Sequence, residues 1–179
     1  MKFVITIRRL ALLAVVCSVG LASVCALAST ASASSLRLSS AERAVVELIN
    51  QTRAQHGLLP VQVRTSLCRA ARAHSREMVR RGFFSHQSHG GGSPTARMVR
   101  YGYGMRGCSS WSTGEVLAYG SGPAGSAQAI VNGWLRSPLH RALLLRPGWR
   151  DVGVGRACGT FLGIRRTAVY TVDLGRRTL

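Results

Sequence analysis

Apolar positions recur at helical spacing first and at strand spacing later. Ser39-Ser40-Ala41-Glu42 has the form of a capping box, and Val45, Leu48, Ile49 and Thr52 follow on one helical face. That helix is expected to stop near His56-Gly57, with Gly57 as a left-handed cap. After an extended link at Pro60-Val61-Gln62-Val63, Thr65 or Ser66 is expected to cap a second helix. Leu67, Ala70, Ala71, His74 and Met78 share one of its faces, and Arg69, Arg72, Arg76 and Arg80 line the other. Gly82 ends it. Ser85 to Ser93 contains Gly90-Gly91-Gly92 and is expected to be a loop. Pro94 suits the first turn of a short helix running to about Tyr101. The stretch from Gly102 to Gly125 is glycine-rich, with an extended piece near Val116-Leu117-Ala118. Ser126 starts a helix whose apolar face is Ile130, Val131, Trp134 and Leu135. Ser137-Pro138 breaks it and begins another short helix through Leu145, with Ser137 as its N-cap. Val152–Ala157 and Ala168–Leu174 alternate and predict strands. Helices early and strands late make the class α+β, with helices packed on an antiparallel sheet.

The first 33 residues follow a different pattern. Lys2, Arg8 and Arg9 precede 19 uncharged residues, Leu10 to Ala28, and Ala31-Ser32-Ala33 is a small-x-small cleavage signature. Residues 1–33 therefore resemble a secretory signal peptide, 34–39 a short linker, and 40–179 the working domain. An uncleaved anchor is the alternative, because 19 apolar residues can span a bilayer.

Charge narrows the chemistry. The chain holds 24 Lys+Arg against 6 Asp+Glu, a formal net charge of +18, and Lys2 is its one lysine. Removing residues 1–33 takes away three cations and no acid. Six carboxylates are too few for a calcium cage or a di-metal carboxylate centre. The cationic surface predicts attraction to anionic wall polymer or lipid. Aromatic residues make up 6% of the chain and no basic-aromatic RNA-binding motif occurs, so no specific nucleic-acid recognition is expected. Cys68, Cys108 and Cys158 would remain after cleavage. In an oxidising compartment three thiols predict one disulfide, of undetermined pairing, and one leftover thiol, or an intermolecular bond. Their spacing contains no C-x-x-C and does not suit a zinc-cysteine site.

Chemistry-bearing side chains are few. His86 stands at the exit of a helix into the glycine loop, Glu115 lies in Gly114-Glu115-Val116, and His140 follows Ser137-Pro138-Leu139. A carboxylate among apolar neighbours needs a partner, and an arginine is the ordinary one. If the three converge, two imidazoles and a carboxylate suit a divalent cation or an acid–base pair. Ser137, His140 and Glu115 also allow a triad-like set. No G-x-S-x-G elbow and no phosphate loop is present. His74 falls on an apolar helix face and is expected to be a hydrogen-bonded core residue. His86 and His89, three apart, form at most a weak chelate, and His56 sits where a helix C-terminus favours a cation.

In order, these motifs resemble a family. They run from Ala44–Asn50 through Ala70–Met78, Gly82-Phe83-Phe84-Ser85-His86, Gly102-Tyr103, Gly114-Glu115, Trp134–Arg141 and Val152–Gly155 to Tyr170–Gly175. The chain looks like a bacterial member of the CAP superfamily of cysteine-rich secretory proteins, antigen 5 and pathogenesis-related proteins, also called the SCP domain. The resemblance covers about residues 40–175. It implies an α-β-α sandwich with a central antiparallel sheet. It also implies a cleft tetrad of two histidines and two acids that binds divalent metal, such as zinc, in some members. His86, Glu115 and His140 match three positions of that tetrad. Ser137 stands near the fourth, where many eukaryotic members have an acid, and Val116 stands where the family usually has asparagine. The family contains binding modules for sterols, fatty acids, lipids and protein partners rather than one reaction type.

The expectation is a secreted, extracellular or wall-associated monomer. Its cleft of His86, Glu115, Ser137 and His140 holds a divalent cation, through His86 and His140, or a small polar or lipidic ligand. One rival is a metal-assisted hydrolase of peptide or wall polymer. It requires the trio to converge and Glu115 to be free of any arginine. The other is a structural module, or an interaction module with a protein partner, in which the trio is packed and closed.

Overall fold

Alternation along the late part of the chain builds a sheet, and the early amphipathic helices cover it. The computed structural model describes residues 36–178; the segment expected to be a signal peptide lies outside them. The elements are α1 (Ser40–Gln55), β1 (Gln62–Val63), α2 (Thr65–Arg81), α3 (Pro94–Arg100), β2 (Ser110–Ser121), a 3₁₀ turn (Gly122–Gly125), α4 (Ala127–Arg136), α5 (Pro138–Leu144), β3 (Asp151–Phe161) and β4 (Ile164–Thr178). The sheet order is β1-β3-β4-β2. β3, β4 and β2 are antiparallel, with Glu115 opposite Asp173 and Gly153 opposite Asp173 on its other side.

The expected α+β sandwich is present, with local corrections. β1 pairs with β3 in parallel, so the sheet is not wholly antiparallel. It is only a two-residue edge after the turn that leaves α1. β2 runs for 12 residues where a short extended piece was expected, because glycines and small polar residues at Gly114, Gly120, Ser110 and Ser112 hide its alternation. Arg64, not Thr65 or Ser66, is the N-cap of α2, and it makes no side-chain cap bond. Ser137 stands at the N-cap of α5 without capping it, since its hydroxyl is bonded to His140.

Strand pairing assigns the two faces, because paired residues of neighbouring strands project to the same side. Val116, Val154, Val172 and Leu174 point to one side, where they meet Val45, Ile49, Val131, Trp134 and Trp149 in the main core beneath α1 and α4. Glu115, Leu117, Thr171, Asp173, Gly153 and Gly155 point to the other side, where α2 lies. A Cβ on Gly153 or Gly155 would collide with the backbone of α2 at Leu67–Cys68 and Ala71–Arg72. These two glycines let the helix approach the strand closely. Ser75 then reaches across to Thr171 Oγ1 at 2.9 Å.

Predicted helix ends are realised where a local bond defines them. Ser39 and Glu42 form the reciprocal capping box. Gly57 and Gly82 both have φ of 67°, the left-handed conformation that glycine adopts without strain. Arg53 is fully buried and has no acid partner among the described residues. It donates instead to the carbonyls of Leu59, Leu144, Arg146 and Trp149. Burial lowers its pKa, and the carbonyls take the place of a counter-ion while tying α1 to the end of α5.

The expected disulfide is absent among the described residues: Cys68, Cys108 and Cys158 are all free. Cys68 lies over Gly153, five residues along β3 from Cys158, or about 16 Å at strand rise. Cys108 precedes Ser109, which bonds Thr178 beyond the opposite end of β3. A disulfide needs Cα atoms within about 7 Å.

Candidate functional site

The end of α2 delivers the first histidine. Gly82 turns the chain out of the helix, its N–H donating to Met78 O at 2.9 Å. His74, fully buried as expected, donates from Nε2 to Ser85 O at 2.8 Å and so fixes the start of the loop. Burial, and then the charge of Arg97, lower the His74 pKa, so it stays neutral at pH 7. The next residue is His86. Its Nδ1–H donates to Glu115 Oε1 at 2.8 Å, since a carboxylate can only accept. The His86 side chain is 54% exposed while that of Glu115 is 2% exposed. A buried acid on β2 thus orients an accessible imidazole.

Arg97 completes this arrangement from α3, a helix started by Ser93 and Pro94. Its guanidinium pairs with Glu115 Oε2 and also donates to Ser88 Oγ at 2.8 Å and to His86 O. One arginine therefore neutralises the buried acid and pins the loop bearing His86. Behind Glu115 lies Asp173, fully buried, its carboxyl against that of Glu115 and with no donor to either of its oxygens among the described residues. Burial first, then the negative charge of Glu115, push its pKa well above the usual carboxylate range.

The second histidine forms a separate pair. His140 Nδ1 shares a 2.9 Å hydrogen bond with Ser137 Oγ at the N-cap of α5. α5 approaches β2 from the face opposite Glu115, where Leu143 and Trp149 pack against Gly114. The structure thus joins His86 to Glu115, and Ser137 to His140, on the two flanks of an edge strand. It does not assemble the triad-like set, because Glu115 bonds His86 and Arg97 rather than His140. Among the described residues, no three His, Cys, Asp or Glu side chains converge on a metal position. Among the described residues His86 and His140 each keep Nε2 unbonded, but two imidazoles fall short of the three protein ligands of a catalytic zinc site. His89 packs edge-on against Phe83 at 5.7 Å instead of joining His86. His56, at the C-cap of α1, bonds Thr52 O and Arg141.

Arg97 and Asp173 are site residues that the sequence did not reveal. Arg97 is one of many arginines, and nothing local marks it. Asp173 had a signal: it is an acid inside an otherwise alternating strand, and such a residue faces either solvent or a buried partner. An apolar surface adjoins the site as well. Phe84 and Tyr119 meet edge-to-face at 5.0 Å and Tyr119 meets Phe161 at 5.1 Å. Phe84 is 42% and Tyr119 40% exposed. Tyr119 stands four residues from Glu115 on the same face of β2, and Phe84 is two residues from His86.

The model of the cysteine-rich secretory protein family matches residues 46–171. The chain belongs to this family. It is similar to a Bacillus subtilis (strain 168) protein, the uncharacterized YkwD. The two are 35% identical over 118 residues, 66% of this chain and 43% of the relative. The chain thus spans less than half the length of that curated relative. Two solved structures share the fold. An outer surface protein from Borrelia burgdorferi superposes with a TM-score of 0.64 at 20% identity, covering 80% of this chain and 97% of that one. An extracellular SCP-domain protein from Bacillus anthracis str. Ames gives 0.62 at 24% identity, covering 79% and 45%. No helix among the described residues of this CAP domain is long and apolar enough to cross a membrane.

Proposed function

We propose that this CAP domain is a secreted binding module at the cell envelope that takes a small amphipathic ligand beside β2. The ligand's polar group meets His86, and its apolar part lies on Phe84 and Tyr119. The observation that carries this reading is the engagement of Glu115. Both of its oxygens are held, one by His86 and one by Arg97. A general base needs a lone pair open to a water or substrate, and with its side chain 2% exposed behind these two partners this acid is suited to orienting His86 rather than to catalysis. The metal-assisted hydrolase required the opposite arrangement. The closed structural module would need a packed histidine, and His86 is open. Secretion rests on the form of residues 1–33 and agrees with the extracellular and outer-surface relatives.

A weak divalent-cation site is the second reading. An imidazole whose Nδ1–H is held by a carboxylate presents Nε2 as metal ligands commonly do. His86 and His140 would be the protein donors, with Ser137 positioning the second.

The experiment is isothermal titration of dodecanoate, below its micelle concentration, into the wild type, Phe84→Ala and His86→Ala. Saturable binding is expected, weakened about tenfold or more in Phe84→Ala, the loss expected for an aromatic contact of this kind. Absence of saturable binding in the wild type, or unchanged affinity in both variants, removes the reading. Zinc in place of dodecanoate, with a His86→Ala/His140→Ala variant, tests the second reading in the same instrument.

A further inference from the structure

The opposite end of β2 carries a cleft of different chemistry. β3 and β4 are joined through Leu162 and Gly163, both at positive φ, 47° and 80°, the pattern of a tight I′ hairpin turn. Three residues later Arg166 is also in the left-handed region, at 56°, beside a register shift between Gly159 and Phe161. A non-glycine residue rarely adopts that conformation. Next to this irregular turn lies a cleft of about 1080 Å³ lined by Arg156, Arg165, Arg166, Ser121, Thr160 and Cys158.

Three guanidinium groups share this cleft and, among the described residues, no carboxylate lines it. The chain's six acids are placed elsewhere. Glu42 pairs with Arg72, Asp151 with Arg64, Glu115 with Arg97, and Glu77 lies beside His74. Asp173 is buried behind Glu115, and Glu47 is on α1. Arg156 is held in place: its Nε donates to Tyr170 Oη at 3.0 Å, and its guanidinium lies over the Tyr170 ring at 5.6 Å. Its two terminal nitrogens have no acceptor among the described residues. Three like charges without a counter-charge repel one another, and an anion that bridges them relieves the repulsion.

We propose that this cleft binds a ligand bearing several phosphate groups. The planar guanidinium fork matches phosphate oxygens, and hydroxyls of Ser121 and Thr160 can donate beside it. A single carboxylate would neutralise one of the three cations, whereas linked phosphates can meet all of them. The cleft lies six residues along β2 from Glu115, about 20 Å at strand rise, so it is separate from the His86 site.

The test uses two probes at about 0.15 M salt, where loose surface attraction is screened. One is sodium tripolyphosphate by isothermal titration; the other is vesicles containing cardiolipin, whose headgroup links two phosphates, by co-sedimentation. The cleft variant is Arg165→Ser/Arg166→Gly, in which glycine suits the positive φ. The control is Arg69→Gln/Arg76→Gln, which removes the same charge from exposed positions on α2. In at least one arm, wild type and control should bind alike and the cleft variant about tenfold or more weakly. The responding arm tells a free polyphosphate from a lipid headgroup. Binding in neither arm, or equal weakening in both variants, overturns the proposal. Thermal unfolding of the cleft variant at or above the wild-type temperature would show that lost binding is not lost folding. If that variant unfolds earlier, Arg165→Ser alone, at an exposed residue, carries the same comparison.

Discussion

Asp173 presents two acceptor oxygens to a space where, among the described residues, nothing donates to them. Burial, and then the charge of Glu115, push its carboxyl toward the protonated form, because ionisation there would add a second buried charge beside Glu115 that Arg97 only partly offsets. The linkage has a definite sign. The folded-state pKa lies above the unfolded value, near 3.8. Below that value both states are protonated and Asp173 costs nothing through its proton. As pH rises, the unfolded chain releases the proton before the folded one does, and stability falls until the folded value is passed. Asn cannot ionise, so Asp173→Asn is expected to gain stability over wild type with rising pH. The gain should start near zero at about pH 3 and grow by up to about 1.4 kcal/mol per pH unit. Urea unfolding at a series of pH values measures it, and a difference that does not change with pH would refute the buried neutral carboxyl. Glu42 acts in the opposite direction. Burial alone would raise its pKa, but bonds from Arg72 and Ser39 outweigh that and lower it, so its contribution is present above its usual value and lost as pH falls through the folded one.

At the scale of elements, the seat of α2 on the sheet rests on two glycines. A methyl group at Gly153 would enter the backbone of Leu67–Cys68, and backbone cannot swing aside as a side chain can. Gly153→Ala should therefore cost about 1–3 kcal/mol or more. Gly133→Ala on α4 should instead stabilise by up to about 1 kcal/mol, since nothing lies within 4 Å of its new methyl and alanine favours the helix. Denaturation midpoints of the two variants test the pair, and loss in both would point to general intolerance rather than a close approach. Such elements also mark what the sequence could reveal. The helices were legible because their boundaries are local: the Ser39–Glu42 box, Gly57, Gly82 and Pro94 each act within one turn. β2 was not, because its length depends on pairing with β4 from Thr167 to Thr178, far along the chain. The same divide runs through the site. His86, Glu115 and His140 stand in recognisable motifs. The bond from Arg97 requires α3 to pack over β2, and the burial of Asp173 requires the register of three strands.

For the whole molecule, stability comes from packing and buried ion pairs, with no covalent staple among the described residues. About 140 residues covering both faces of a sheet form a domain large enough to need none. Two apolar layers lie on opposite faces, Val154, Val172 and Trp149 in one, Met78, Leu117, Phe161 and Val169 in the other. Arg53, Arg72 and Arg97 tie helices to distant segments from within. A chain beginning at Ser34 should consequently unfold at the same temperature with and without dithiothreitol. Its three thiols should also react in an order set by burial. Cys158 is exposed, Cys108 intermediate and Cys68 buried, with burial raising the pKa of Cys68. The thiolate is the reacting species, so both burial and the raised pKa slow Cys68. Ellman's reagent should titrate Cys158 at once, Cys108 more slowly and Cys68 only when denaturant opens the domain. Fewer than three thiols in denatured, non-reduced monomer, or a melting temperature lowered by reductant, would mean that an intramolecular disulfide does form and that the helix–strand spacing around Gly153 or the loop at Cys108 differs from the one described.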